Sequence, residues 1–297
     1  MYHKPVLLPE SIEGLRILPD GLYVDATFGG GGHGTAIFNE LTSGKLFAFD
    51  QDQDAAANII NDSRFIFIPQ NFRYMRNFLM LEGVQEVDGI FADLGVSSHQ
   101  FDVADKGFST RLDGQLDMRM SQNNPLDARS IVNQYTPEEL KRIFKRFGEI
   151  DNAWQMAEAI VARRTRQEIT RTFELRDAVQ HLLPRGKENK VLAQLFQALR
   201  IEVNQEITVL EEFLGQCVQC LKPGGRLVVI SYHSLEDRLV KNFMRAGNAE
   251  GTIEKDFFGN LLSPLVPVSR KVIVPGEAEI NDNSRARSAR LRIAEKK

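Results

Sequence analysis

Four short runs in the first hundred residues are apolar on both faces: Leu22-Tyr23-Val24, Leu46-Phe47-Ala48-Phe49, Phe65-Ile66-Phe67-Ile68 and Gly89-Ile90-Phe91-Ala92. A strand of that kind needs cover on both sides, which is the situation of a parallel sheet flanked by helices. Helix-compatible segments such as Asp54 to Ile60 lie between the runs, so strand–helix–strand is the repeating unit. The rhythm stops after Asp93. It resumes at Arg226-Leu227-Val228-Val229-Ile230-Ser231, behind a helix stop and turn at Leu221-Lys222-Pro223-Gly224-Gly225. Between about Asp105 and Arg200 the signals are helical instead. Thr136-Pro137-Glu138-Glu139 is an N-cap with proline at the first helical position and acids in the first turn; Leu140, Ile143, Phe144 and Phe147 follow at helical spacing. Trp154 to Val161 and Leu175 to Leu183 also read as helices. The pattern predicts an α/β domain formed by residues 1–104 and 201–297, interrupted by an inserted all-α domain at 105–200.

Gly29-Gly30-Gly31-Gly32-His33-Gly34 follows the first run and opens a helix, where backbone N–H groups approach a ligand closely. Gly29, Gly31 and Gly34, with Asp50 near the end of the next strand, fit the spacing of a dinucleotide site, so an NAD-dependent oxidoreductase is one reading. A turn that merely packs helix on strand is another. Asp25, just before the loop, discriminates between ligands: its carboxylate repels a pyrophosphate and suits a cationic amino-acid head. S-adenosylmethionine has such a head, a ribose diol for Asp50 and an adenine for which Phe72 offers an apolar wall, although Phe72 buried without a ligand is the plainer alternative. Asp93-Leu94-Gly95-Val96-Ser97-Ser98 follows the fourth run, so Asp25, Asp50 and Asp93 fall along one rim of strand carboxyl ends. That rim is where doubly wound sheets hold their ligands.

Other signals are weaker. Cys217-Val218-Gln219-Cys220 has zinc or redox spacing but no second pair, and reads as two buried thiols. His3, His33, His99, His181 and His233 are too dispersed for a metal site, so none is expected. Ser234, His233 and Asp237 do not make a triad by adjacency. Met1-Tyr2-His3-Lys4-Pro5 lacks the apolar run of a signal peptide, and no stretch of about 18 apolar residues occurs, so a cytoplasmic protein without a membrane partner is expected.

Several blocks together are similar to a known family. They are His3-Lys4-Pro5-Val6-Leu7-Leu8, Asp25-Ala26-Thr27-Phe28-Gly29, Gly31-Gly32-His33, Asp93 to Ser98, Arg111 to Met120, Phe196-Gln197-Ala198-Leu199-Arg200, Ser231-Tyr232-His233-Ser234-Leu235-Glu236-Asp237-Arg238 and Arg285-Ala286-Arg287-Ser288. In that order they resemble the RsmH (MraW) family of bacterial 16S ribosomal RNA cytosine-N4 methyltransferases, across nearly the whole chain. The resemblance implies a class I (Rossmann-like) methyltransferase fold with a helical insertion for RNA recognition. It also implies S-adenosylmethionine as methyl donor, and as acceptor a cytidine of the decoding centre, in 16S rRNA within an assembled or late-assembling small subunit. Carried over by position, Gly31, Gly32, His33, Asp50, Phe72, Asp93 and Gln100 would contact the cofactor. Gly30 stands where the family often has a larger residue, and Gly34 replaces its usual serine.

Cytosine N4 is a poor nucleophile, so such an enzyme has to align N4, methyl carbon and sulfur and exclude water. A carboxylate accepting an N4–H hydrogen bond favours the developing positive charge, and Asp93 is the candidate for that catalytic role. Many amino-methylating enzymes place Asp/Asn-Pro-Pro-aromatic here, whereas this chain has Asp93-Leu94-Gly95, so a purely cofactor-binding Asp93 stays open. The target base must leave its stack to reach the rim. The net charge of −3 argues against nucleic acid only as a total: residues 141–171 hold eight basic against four acidic residues and residues 281–297 hold six against two, on an acidic remainder. Merely solvated helix faces would look the same. A non-catalytic RNA-binding or assembly factor, and a homodimer, both remain compatible with the sequence.

Overall fold

The computed structural model describes residues 5–269 and 271–297, and only the backbone of Ser98. The reading of the N-terminal start and the His3-Lys4 beginning of the first block lie outside the described residues. Seven strands form one sheet: β1 (Leu22–Asp25), β2 (Lys45–Phe49), β3 (Phe65–Ile68), β4 (Val87–Asp93), β5 (Leu221–Ser231), β6 (Leu265–Pro267) and β7 (Arg290–Lys296). Their order is β3-β2-β1-β4-β5-β7-β6, with β1 to β5 parallel and β7 antiparallel to both its neighbours. This is the class I methyltransferase sheet that the resemblance implies.

Both faces of the central strands are covered, as their composition requires. On one face Val24, Phe47, Phe49, Ile90 and Val229 pack with Phe213, Leu214, Val240 and Phe243. On the other, Tyr23, Leu46, Phe91 and Ile230 pack with Leu15, Ile37 and Phe38. The helices involved are α1 (Leu8–Leu15) and α2 (Gly32–Asn39), then α3 (Met75–Leu81), all before β4, and further on α10 (Glu206–Cys220) and α11 (Ser234–Ala246). Truncating a fully buried phenylalanine such as Phe213 to alanine removes about 3–5 kcal/mol of stability. Cys217 and Cys220 are free and buried on α10, and desolvation raises both thiols. The Lys222 to Gly225 turn is a bulge within β5: pairing passes from Val87↔Leu221 to Gly89↔Arg226, with Gly224 at φ 78°. The segment after β2 forms a 3₁₀ turn, Gln53–Asn58, in place of the expected α-helix.

The chain divides into two compact units, one of residues up to Gly95 and from Ile207 on, the other Val96–Glu206. These limits differ from 104/105 and 200/201, because α9 (Glu188–Asn204) runs on through residue 200 and a short helix already starts at Ser98. The second unit contains α4 (Ser98–Asp102), α5 (Ala128–Gln134), α6 (Pro137–Gly148), α7 (Ala153–Arg164), α8 (Thr172–Val179) and α9. Thr136 and Glu139 close a capping box at the start of α6, and its Leu140, Ile143, Phe144 and Phe147 are buried where α6 packs on α7 and α9. The last helix, α12 (Glu277–Asp282), belongs to the first unit. No helix among the described residues is long and apolar enough to cross a membrane.

Candidate functional site

The parallel register puts the ends of β1, β2 and β4 side by side. Asp25 closes β1, Asp50 follows β2, and Asp93 closes β4. Thr27 ties two of them together: its N–H donates to Asp25 Oδ1 (3.0 Å), and its Oγ1 accepts the Asp93 N–H (2.6 Å). The Gly29 N–H donates to Asp50 Oδ2 (2.7 Å), and Asp52 N–H to Asp50 Oδ1 (2.8 Å), so Asp50 holds the loop above it. Phe72 sits in a 3₁₀ turn after β3, edge-on to Phe213 with ring centroids 4.9 Å apart. A hydrogen bond from Asn71 Nδ2 to Gln51 Oε1 (2.8 Å) joins that turn to the chain just past Asp50.

Asp25 is completely buried, and its Oδ2 has no hydrogen-bond partner among the described residues. Desolvation, with Asp50 and Asp93 nearby, pushes its carboxyl up to about 7. Desolvation likewise raises Asp93, against a hydrogen bond from the Tyr232 hydroxyl to its Oδ1 (2.9 Å); a quarter of its side chain stays exposed, and water at that edge moderates the rise. His33 is nearly buried in the first turn of α2, stacked on Phe91 at 4.5 Å. Its Nε2 lies 2.9 Å from the Val6 carbonyl, which only accepts, so Nε2 carries the proton. Burial lowers its pKa to about 4, and its bare Nδ1 faces Asp93 Oδ2 at 3.8 Å.

The loop has the shape of a cradle. Gly29 (φ 49°) and Gly31 (φ 76°) occupy the left-handed region that favours glycine. A Cβ on Gly32 would lie 2.4 Å from Pro5 Cγ, and one on Gly34 would lie 2.7 Å from the Phe28 ring and 2.9 Å from Asp25 Oδ2. Gly30 has open space around it. A serine at 34 therefore requires Phe28, itself wedged against Phe65 and Phe67, to shift, while a Cβ at 30 meets nothing within 4 Å.

The family model for the MraW methylase family matches residues 1–297. This chain belongs to the MraW methylase family. It is 56% identical over 296 residues to ribosomal RNA small subunit methyltransferase H of Flavobacterium johnsoniae, covering 99% of this chain and 98% of that protein. The protein of the same name from Bacteroides thetaiotaomicron is 56% identical over 297 residues, covering 100% and 98%. Solved structures are more distant. An rRNA methylase from Streptococcus thermophilus has 12% identity and a TM-score of 0.40, covering 100% of this chain and 98% of that one. NSun6 from Pyrococcus horikoshii, with SFG, has 11% and 0.45, covering 98% and 52%. The family read from the ordered blocks is thus the family to which the chain belongs.

Within this family member, Gly31, Gly32, His33, Asp50, Phe72 and Asp93 lie in the sheet-containing unit at the carboxyl ends of its strands. Gln100 lies in the helical unit, buried, where its Oε1 accepts the Ser97 N–H in a capping box. Tyr232, whose hydroxyl holds Asp93, lies in the block Ser231 to Arg238, but no local sequence pattern marks it as a site residue. His233 caps α11, its Nδ1 accepting the Glu236 N–H (3.4 Å). Asp237 is clamped by Arg292 and Arg290; burial raises its carboxyl, and the two guanidiniums outweigh burial and hold it low.

Most cations of the two basic stretches are engaged inside their own units. Arg142 pairs with Glu202 (3.1 Å), Lys145 with Asp151 (3.7 Å) and Arg171 with Asp113 (2.7 Å). Arg164 donates to the Val132 carbonyl, while Lys141 and Arg146 sit over the rings of Trp154 and Phe147. In the C-terminal stretch Arg290, Arg292, Lys296 and Lys297 all bond to the fold itself. Arg287 has no hydrogen-bond or ion-pair partner among the described residues.

Proposed function

We propose that this protein transfers a methyl group from S-adenosylmethionine to the exocyclic N4 amine of a cytidine in the decoding centre of 16S ribosomal RNA, in the cytoplasm. The observation that carries the cofactor reading is the buried Asp25 with an unpartnered oxygen beside a glycine cradle: such a group calls for a cation, and a pyrophosphate would be repelled. That choice disfavours the nicotinamide reading. In this reading Gly31, Gly32 and His33 shape the cradle, Asp25 faces the ammonium, Asp50 takes the ribose diol, and Phe72 walls the adenine. Gln100 is assigned to cofactor binding by family position. When bound, S-adenosylmethionine supplies an electrophilic methyl carbon on a sulfonium that leaves as a neutral thioether.

Asp93 then has two tasks that geometry allows together. Its free lone pairs accept the N4–H, orienting the amine, and its raised pKa suits it to take the proton that N4 sheds as the N–C bond forms and the S–C bond breaks. Tyr232 fixes the carboxylate through Oδ1, and neutral His33 lines the opposite side without adding positive charge against the substrate amine. The helical unit, with its basic α6 and α7, is assigned to RNA recognition. The test is to incubate labelled S-adenosylmethionine with small subunits isolated from cells lacking this protein, and to map the labelled nucleotide. Label on cytosine N4 supports the reading. No label where both substrates bind leaves a non-catalytic assembly factor.

A further inference from the structure

A cavity of about 320 Å³ opens where the chain leaves β5, lined by Tyr232, whose hydroxyl donates to Asp93. Tyr232, Val274, Pro275 and Ile280 give it an aromatic and apolar wall, and Arg287 and Ser288 a polar one. Its volume is at the small end of ligand cavities, enough for one nucleoside and too little for two. Arg287 is exposed and unpartnered among the described residues, whereas its neighbours Arg290 and Arg292 are spent on Asp237. An aromatic ring beside a free guanidinium is the pairing by which single-stranded RNA is held, base on ring and phosphate on cation.

Asp93 is not a wall of this cavity, and the Tyr232 hydroxyl is committed to Asp93 Oδ1. Tyr232 thus belongs to two neighbouring places: its hydroxyl holds Asp93 at the rim, and the residue lines the cavity.

We propose that this cavity holds the nucleotide flanking the target cytidine, its base against Tyr232 and its phosphate on Arg287. The inference rests on the methyl-transfer reading for which nucleotide is the target, but its test is binding and not turnover. Affinity of the full chain for small subunits from cells lacking it is measured at several salt concentrations, for wild type, Arg287→Ala and Val274→Trp; Val274 is exposed, so the tryptophan fills the cavity without entering the core. The expected result is roughly tenfold weaker binding in each variant, with the slope of log affinity against log salt reduced by a little under one in Arg287→Ala and unchanged in Val274→Trp. Cofactor affinity, measured alongside, stays at the wild-type value in both and reports that the fold is intact. Wild-type affinity and slope in both variants overturn the proposal. Should wild type bind and transfer no methyl, the methyl-transfer reading fails while the binding series still decides the cavity.

Discussion

The strand rim and the two basic stretches both carry clustered charge and treat it in opposite ways. At the rim, among the described residues, Asp25 is fully buried with one oxygen unpartnered, and Asp93 is raised by desolvation with a tyrosine hydroxyl as its one side-chain hydrogen-bond donor. Along residues 141–171, seven of eight cations have a carboxylate, carbonyl or ring of their own unit. Burying a charge without a counterion costs several kcal/mol, whereas exposed ion pairs return about 0–1 kcal/mol. A fold that retains the first kind of group bears a cost that only a ligand offsets. The difference teaches that, on the proposed function, the chemistry falls at the unmatched groups, and that a count of basic residues overstates how much of each stretch is free.

Replacing Asp93 tests the comparison most severely. Asp93→Asn keeps the Tyr232 contact and removes the proton acceptor, so turnover at saturating cofactor falls by roughly 10²–10⁴ while cofactor affinity holds. Normal turnover with weakened cofactor binding would make Asp93 a binding residue only.

Asp25 gives a smaller effect with a sign that depends on pH. Its folded pKa of about 7 lies above the unfolded value near 3.8, so the protonated form favours folding. Stability from this group is complete below about pH 4 and is lost as pH rises toward 7, by at most about 1.4 kcal/mol per unit. His33 runs the other way, because its pKa is lowered from 6.5 to about 4 and its contribution is lost as pH falls through that window. Subtracting the thermal unfolding profile of Asp25→Asn from that of wild type isolates the aspartate. A flat difference between pH 4 and 7 would mean that Asp25 is not strained.

The glycine cradle separates along its length. Gly34→Ser places atoms against Phe28 and loses about 1–3 kcal/mol in denaturant unfolding, whereas Gly30→Ala, facing open space, changes stability little. Smallest of all, Arg142→Ala breaks a half-exposed pair with Glu202 and shifts stability by about 0–1 kcal/mol, leaving RNA affinity near wild type. A large loss of RNA affinity there would return that arginine to the interface.

Much of this was readable from the residues, because runs such as Phe65 to Ile68 are apolar on both faces and admit few arrangements other than a covered parallel strand. The acids at strand ends followed from the same runs. What escaped depended on contacts between distant segments: Tyr232 meets Asp93 across 139 positions, and Arg171 finds Asp113 across 58. The bulge in β5 escaped for a related reason, since Pro223-Gly224-Gly225 has the composition of a turn and only pairing with β4 shows that the strand continues past it. Gly34 stood only as a departure from the family's usual serine, and the Phe28 ring packed against it shows what a side chain there would meet.

The central claim is that the rim keeps a strained carboxylate for the cation of its cofactor. Calorimetric titration of the protein with S-adenosylmethionine near pH 7, in two buffers of different ionisation enthalpy, counts the protons exchanged on binding. The account predicts release of a fraction of a proton by wild type, as the bound cation pulls Asp25 down from about 7, and a clear reduction of that release in Asp25→Asn. Binding with no proton release, or with the same release in the variant, would contradict it.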